Sequence, residues 1–278
     1  MTPRVFVIGA GRAGRALTHA MRVGGVDVVG LHGRRAADGI TIGQWPATLA
    51  LASVVLITVR DGEIDGVMRE LLAASLSAGA VVLHASGSVE PAALELLRAH
   101  GHPGGTFHPL LPLTDPTRAT EQLHRAWIGI DGDEAARSVS RELAAAIGAR
   151  VLEIPEGMKA RYHAAAVFAS NFPMVLLATA MKLLTSAGVP ADAARGALGT
   201  LLVAAAENAS AMGPAKALTG PVARGDVETV RAHLGVLGDV PEVLELYRVL
   251  SRGAVGVAEQ GGADLARLIE LREVLRES

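Results

Sequence analysis

Short apolar runs alternate with helical stripes through the first half of the chain. Runs at Arg4–Ile8, Val26–Leu31, Val54–Val59, Ala80–His84, Gly105–His108, Trp127–Asp131 and Arg150–Ile154 read as strands. Between most of them apolar residues recur at helical spacing, which predicts helices over Gly11–Val23, Glu63–Ala74, Pro91–His100 and Glu134–Ile147. Val54–Val59 is apolar without alternation, as a parallel strand covered on both faces requires. Strands alternating with helices predict a doubly wound parallel sheet, whose ligands lie beyond the carboxyl ends of the strands.

The pattern changes near Pro155. No convincing strand follows, and helices are predicted over Gly157–Ser186, Ala191–Met212, Asp226–Leu237, Pro241–Gln260 and Ala263–Arg276. Gly188-Val-Pro190 stops one helix and restarts the next, while Gly213-Pro214 and Gly220-Pro221 bracket a loop. The expected organisation is an α/β domain over residues 1–154 and an all-α domain over residues 155–278. The long apolar segment Ala164–Leu184 contains Asn171, Pro173 and Lys182, so a buried core helix is expected there rather than a membrane span.

Composition narrows the classes. The chain has 278 residues, half of them hydrophobic, which suffices for one or two domains with a sizeable core. A net charge of −2 with mixed signs argues against a nucleic-acid groove or a basic membrane patch. The absence of cysteine excludes disulfides, thiolate nucleophiles and cysteine metal sites. The chain starts on a core strand with no basic-then-apolar leader, so a cytoplasmic protein is expected. His100-Gly-His102 and His108 do not match a zinc spacing, and no metal is expected.

The most specific chemistry lies at the start. Val5–Ile8 feeds into Gly9-x-Gly11-x-x-Gly14, and a helix follows with Ala13, Leu17, Ala20 and Met21 on one face. In this strand–turn–helix context the glycines point to a dinucleotide pocket of the Rossmann type, a ligand-free glycine-rich turn being the other reading. Gly9 allows the tight turn, Gly11 lets backbone approach a pyrophosphate, and Gly14 lets helix and strand pack closely. Arg12 and Ala13 share this turn and join them as candidate cofactor contacts, because the helix N-terminus offers free N–H groups to phosphates. An acidic residue at the end of the second strand would bind a ribose 2′-hydroxyl. The chain instead reads His32-Gly-Arg34-Arg35, and two guanidiniums suit a 2′-phosphate, favouring NADP over NAD. Solvated surface charge is the other reading of this pair.

Further candidates cluster at predicted strand ends: Thr58-Val59-Arg60-Asp61, Ala85-Ser86-Gly87-Ser88 and Phe107-His108-Pro109. Thr58, Val59 and Asp61 are placed with the cofactor. His108 could bond a substrate hydroxyl or carbonyl, with Ser86 or Ser88 orienting it; a structural buried histidine is the rival reading. Lys159 and His163 are four apart and share a helix face, with Asn171 roughly on the same side. A lysine near a nicotinamide can donate a proton and stabilise a developing alkoxide, although a solvated lysine has the same sequence signature. In Leu218–Asp226, Asp226 makes a good helix N-cap and Arg224 could hold a substrate carboxylate.

Together Gly9-x-Gly11-x-x-Gly14, His84-x-Ser86-Gly87, Phe107-His108-Pro109-Leu110, Tyr162-His163 with Asn171, and Leu218-Thr-Gly-Pro-Val-Ala-Arg-Gly-Asp226 carry a resemblance. The chain resembles two-domain proteins that pair a Rossmann-like domain with a helical domain of the 6-phosphogluconate-dehydrogenase type. Within that superfamily it is most similar to a group with a C-terminal domain of unknown function. Ketopantoate reductases and β-hydroxyacid dehydrogenases imply Lys159 as proton donor. Their asparagine four residues later is replaced by His163, which leaves Asn171 as a substitute and His163 as a substrate contact. Prephenate dehydrogenases imply a different catalyst: their Gly-Ser-Val and later His-Pro match Gly87-Ser88-Val89 and His108-Pro109. The resemblance also implies a homodimer built through the helical domain. The expected activity is NADP-dependent hydride transfer to or from a small anionic carbonyl compound, such as ketopantoate. A prephenate-type dehydrogenase and a non-catalytic NADP sensor are the alternatives.

Overall fold

The computed structural model describes residues 3–113 and 121–276. Seven strands form one sheet in the order β2-β1-β3-β4-β5-β6-β7. They are β1 (Arg4–Ile8), β2 (Asp27–His32), β3 (Val54–Ile57), β4 (Val81–His84), β5 (Gly104–Pro109), β6 (Trp127–Gly132) and β7 (Arg150–Glu153). Each coincides with a predicted run to within two residues. β1, β3 and β4 are buried at nearly every position, which is why their sequences lack polar alternation.

The sheet departs from an all-parallel expectation at one seam. β5 and β6 pair antiparallel, with His108 opposite Gly129 and Thr106 opposite Asp131. β6 and β7 are parallel again, joined by α4 (Glu134–Ala146). The other helices on the sheet are α1 (Arg12–Val23), α2 (Ile64–Leu72) and the short α3 (Glu95–Ala99). One apolar cluster gathers Val7, Leu17, Met21, Leu56 and Leu83 with Phe107 and Leu143, and a second gathers Phe6, Ile8, Ile57, Met68, Val82 and Leu97. Phe6 and Val7 point to opposite faces of the same strand, so the two clusters are the two sides of a doubly wound sheet.

The helices that follow are α5 (Lys159–Ser186), α6 (Ala191–Met212), α7 (Pro214–Ala217), α8 (Pro221–Arg224), α9 (Val227–Val236), α10 (Pro241–Gln260) and α11 (Leu265–Val274). The two single-turn helices α7 and α8 occupy the segment read from sequence as a loop. The change from strands to helices lies at residue 155, but the chain divides into compact units at 171/172, inside α5. The first turns of α5 stay with the sheet because Lys159 and Tyr162 are bonded to it. In the second unit Val227, Val230, Val255, Leu268 and Leu271 form a small core.

The apolar helix is not the buried core element expected. Lys159 is the buried residue of α5, whereas Met174 and Val175 are more than half exposed. Among the described residues α5 is the one helix long and apolar enough to cross a membrane.

Candidate functional site

A cleft of about 890 Å³ opens where β1 meets α1. Of the candidate cofactor contacts, Gly9, Gly11, Arg34, Arg35, Thr58 and Val59 line it, whereas Arg12, Ala13, Gly14 and Asp61 do not. Gly9 has φ of 110°, a conformation that favours glycine, and its N–H bonds the His32 carbonyl at 2.8 Å. Gly11 is the N-cap of α1 and has no side-chain cap, so the first N–H groups of the helix stay open. A Cβ at Gly11 would meet nothing within 4 Å and would project into open space. Gly14 is needed for close packing instead, because a Cβ there would strike the Gly9 carbonyl and Thr58 Oγ1. Thr58 completes the turn by donating to the Gly9 carbonyl at 2.7 Å. An uncapped helix N-terminus behind a side-chain-free approach fits a pyrophosphate.

Several lining residues had no role in the sequence reading. Arg15 donates to the Ala10 carbonyl, and Trp45 sits 4.7 Å from the His32 ring. Arg60 and Glu63 also face the cleft. Glu63 accepts from Arg34 at 2.9 Å and from Arg60 at 2.5 Å, so Arg34 is ion-paired rather than simply solvated. Asp61 points elsewhere and accepts from the Ser88 hydroxyl at 2.5 Å.

A second cluster stands at the carboxyl ends of β4 and β5. His108 Nδ1 lies 2.7 Å from the Tyr162 hydroxyl, and the rings meet edge to face. Tyr162 reaches this position over Gly129, the residue opposite His108 on β6; a Cβ there would strike the phenol oxygen. The other edge of His108 faces Gly87. A Cβ on Gly87 would sit 2.8 Å from His108 Nε2 and 2.8 Å from His163 Nδ1. The backbone at Gly87 thus leaves room for two imidazoles to converge. His108 is neutral near pH 7: burial, then the charges of Lys159 and His163, lower its pKa to about 4. His84, fully buried at the end of β4, is lowered to about 4 by the same combination of burial and Lys159.

Lys159 is neither a solvated lysine nor a surface donor. It is fully buried, and its ammonium donates to the Ser86 carbonyl at 2.9 Å and to Thr106 Oγ1 at 3.3 Å. Burial lowers its pKa to about 8, so it is mostly charged near neutrality. Ser86 is also occupied: its hydroxyl accepts from the Ser88 and Val89 N–H groups and shapes the loop. Asn171 is exposed and accepts from the Ser170 hydroxyl, apart from this cluster. The reason is helix geometry, because twelve residues of α-helix leave a rotation of roughly 120° from Lys159. In the second unit Arg224 is exposed and lies 3.9 Å from Asp226. Asp226 caps α9, accepting from the Thr229 N–H at 3.1 Å. Among the described residues no group of three potential metal ligands occurs.

Comparison with known proteins agrees with this architecture. The family described as Domain of unknown function (DUF2520) matches residues 126–254. No curated protein matches the chain. Among solved structures, TM1727 from Thermotoga maritima superposes with a TM-score of 0.73 at 23% identity, covering 92% of this chain and 98% of its own. BF3122 from Bacteroides fragilis gives 0.70 at 22% identity, covering 91% and 97%. A pyrroline carboxylate reductase from Plasmodium falciparum with NADP bound gives 0.62 at 9% identity, covering 93% and 97%. The fold is a Rossmann-type sheet followed by helices. At these identities the likeness speaks for architecture, and it accords with the resemblance carried by the sequence motifs.

Proposed function

We propose that this chain is an NADP-dependent oxidoreductase that moves hydride to or from a small anionic carbonyl compound, a 2-keto acid such as ketopantoate being the most concrete candidate. The observation that carries the reading is one sheet edge bearing both a glycine-turned cleft and the His108 cluster. Gly9, Gly11 and the open N-terminus of α1 would hold the pyrophosphate, and Arg34 the 2′-phosphate. The Plasmodium falciparum neighbour with NADP bound supports the choice of cofactor. The bound cofactor would supply the hydride.

The chain's own residues would orient the substrate and donate a hydrogen bond to its oxygen, with the proton itself coming from solvent. His108 is the better candidate to touch substrate, because Lys159 Nζ is buried against Ser86 and Thr106. In the tautomer whose Nδ1 accepts from the Tyr162 hydroxyl, His108 would carry its proton on Nε2, the edge beside Gly87 and His163. Lys159 would act from beneath as a fixed positive charge that favours an oxyanion. The prephenate-type alternative draws on the same His108, so substrate trials must include it.

Purified protein should quench on titration with NADPH and then oxidise it when offered ketopantoate. Failure to bind either NADPH or NADH would overturn the reading; binding with turnover of prephenate or a cyclic imine instead would keep the class and replace the substrate. We further infer a homodimer through α5 and α6, supported by Val175 at 56%, Leu201 at 65% and Val203 at 57% exposure. Light scattering should give twice the chain mass, and Leu201→Glu should halve it.

A further inference from the structure

The cleft mouth carries a carboxylate where the proposed cofactor would bring a phosphate. Arg34 follows β2 and Arg60 follows β3, on opposite sides of the β1 end. Glu63 joins them, accepting from Arg34 at 2.9 Å and from Arg60 at 2.5 Å with the same oxygen, Oε1. All three line the cleft, whose charged lining is Arg15, Arg34, Arg35 and Arg60 against Glu63 and Glu70. Resting on the NADP reading above, we propose that Glu63 is a built-in competitor for the 2′-phosphate subsite: it holds the Arg34–Arg60 pair when no phosphate is present and sets how strongly the chain prefers NADPH to NADH.

The chemistry follows from the partners. Each guanidinium presents several donors, and one carboxylate oxygen engages both groups. A 2′-phosphate is a dianion with three acceptor oxygens, so it can satisfy both forks more fully than a single carboxylate oxygen does. The arginine side chains are 77% and 78% exposed, and exposed ion pairs of this kind are weak and readily exchanged. Glu63 stays ionised because its hydrogen bond from Arg60 holds its carboxyl below the usual range. Once phosphate arrives, that negative charge works against it. NADH, with a hydroxyl in place of the phosphate, gains little from either arginine.

Three consequences are measurable by calorimetry, without turnover. Glu63→Gln keeps shape and removes the charge, so affinity for NADPH and for adenosine 2′,5′-bisphosphate should rise about fivefold, the effect of one charge at short range in a wet cleft. Affinity for NADH and AMP should stay within about twofold. Arg60→Met should weaken NADPH and leave NADH unchanged. If the unaltered chain binds NADPH but Glu63→Gln binds it equally or more weakly, Glu63 is a scaffold for the arginines and the inference is overturned while the NADP reading stands. If the unaltered chain binds neither dinucleotide, both fall. A melting temperature close to that of the unaltered chain verifies that each variant is folded.

Discussion

The molecule contains the same residue pair twice. In the first unit His108 Nδ1 lies 2.7 Å from the Tyr162 hydroxyl, with ring centroids 5.6 Å apart and planes at 87°. In the second unit His233 Nδ1 lies 2.8 Å from the Tyr247 hydroxyl, with centroids 5.6 Å apart and planes at 88°. The pair geometry is therefore not what makes a site. The first pair is assembled from residues 54 apart in sequence, through a strand and a helix start. It is flanked by His163 across Gly87, with the Lys159 charge close enough to lower its pKa. The second joins residues 14 apart on α9 and α10 and ties two neighbouring helices together. The first pair turns its outer edge to Gly87 and His163, whereas the second has Ser251 beside Tyr247 and the Asp226 charge near His233.

The largest expected effect separates the pairs directly. His108→Asn should lower kcat by about 10²- to 10³-fold, the range for loss of one donor aimed at a developing oxyanion, with cofactor affinity retained. His233→Asn should leave kcat within about twofold. Steady-state kinetics on both variants, with NADPH titrations as controls, make the comparison. Equal losses would mean that His108 is structural too, the rival reading of its sequence position.

That rival reading could not be settled from sequence, and the reason is instructive. The seven strands were legible because short runs such as Val54–Ile57, too short for a helix and bounded by turn residues, alternate with stripes at helical spacing. The antiparallel seam was not, because strand direction depends on the connection rather than on the strand's own residues. His108 and His163 were legible as candidates; their convergence was not, because it depends on Gly87 lacking a side chain. Tyr162 was visible in the Lys159-x-x-Tyr162-His163 pattern, but its role needs Gly129 on a strand placed beside β5 only in three dimensions. Lys159 shows the opposite limit: a lysine at a helix start reads as solvated or catalytic, and its full burial against Thr106 has no local signal. Glu63 reads as the start of a helix until Arg34 and Arg60 close on it.

A second effect sharpens what surrounds the first pair. His84 and His108 are both lowered to about 4 from 6.5, mainly by burial. Between pH 6.5 and 4 an unfolded histidine takes up a proton that the folded one refuses, so stability falls as pH falls through this window. For fully buried His84 the loss is on the order of 3 kcal/mol by pH 4. Lys159, lowered to about 8 from 10.5, gives the same sign in a separate window, with stability rising from pH 8 to 10.5. Chemical unfolding of the unaltered chain and of His84→Leu at pH 7 and pH 4.5 reads the acid window. A variant as acid-sensitive as the parent would show that the burial of His84 is not what acid attacks.

The smallest effect is the most discriminating. Tyr162→Phe and Tyr247→Phe each remove one hydroxyl that meets a histidine, and each should cost about 1 kcal/mol of stability. Their thermal shifts should therefore be similar. Their kinetics should not be. Without the Tyr162 hydroxyl, His108 is free to place its proton on Nδ1, and the edge beside Gly87 loses its donor in that tautomer. A fall in kcat of about tenfold with KM little changed is expected from a group that positions a proton without touching substrate. Tyr247→Phe should match its stability loss and leave kcat alone. If both variants lose stability equally and both keep full activity, Tyr162 is a second packing bond like Tyr247, and the tautomer of His108 is set by its other neighbours.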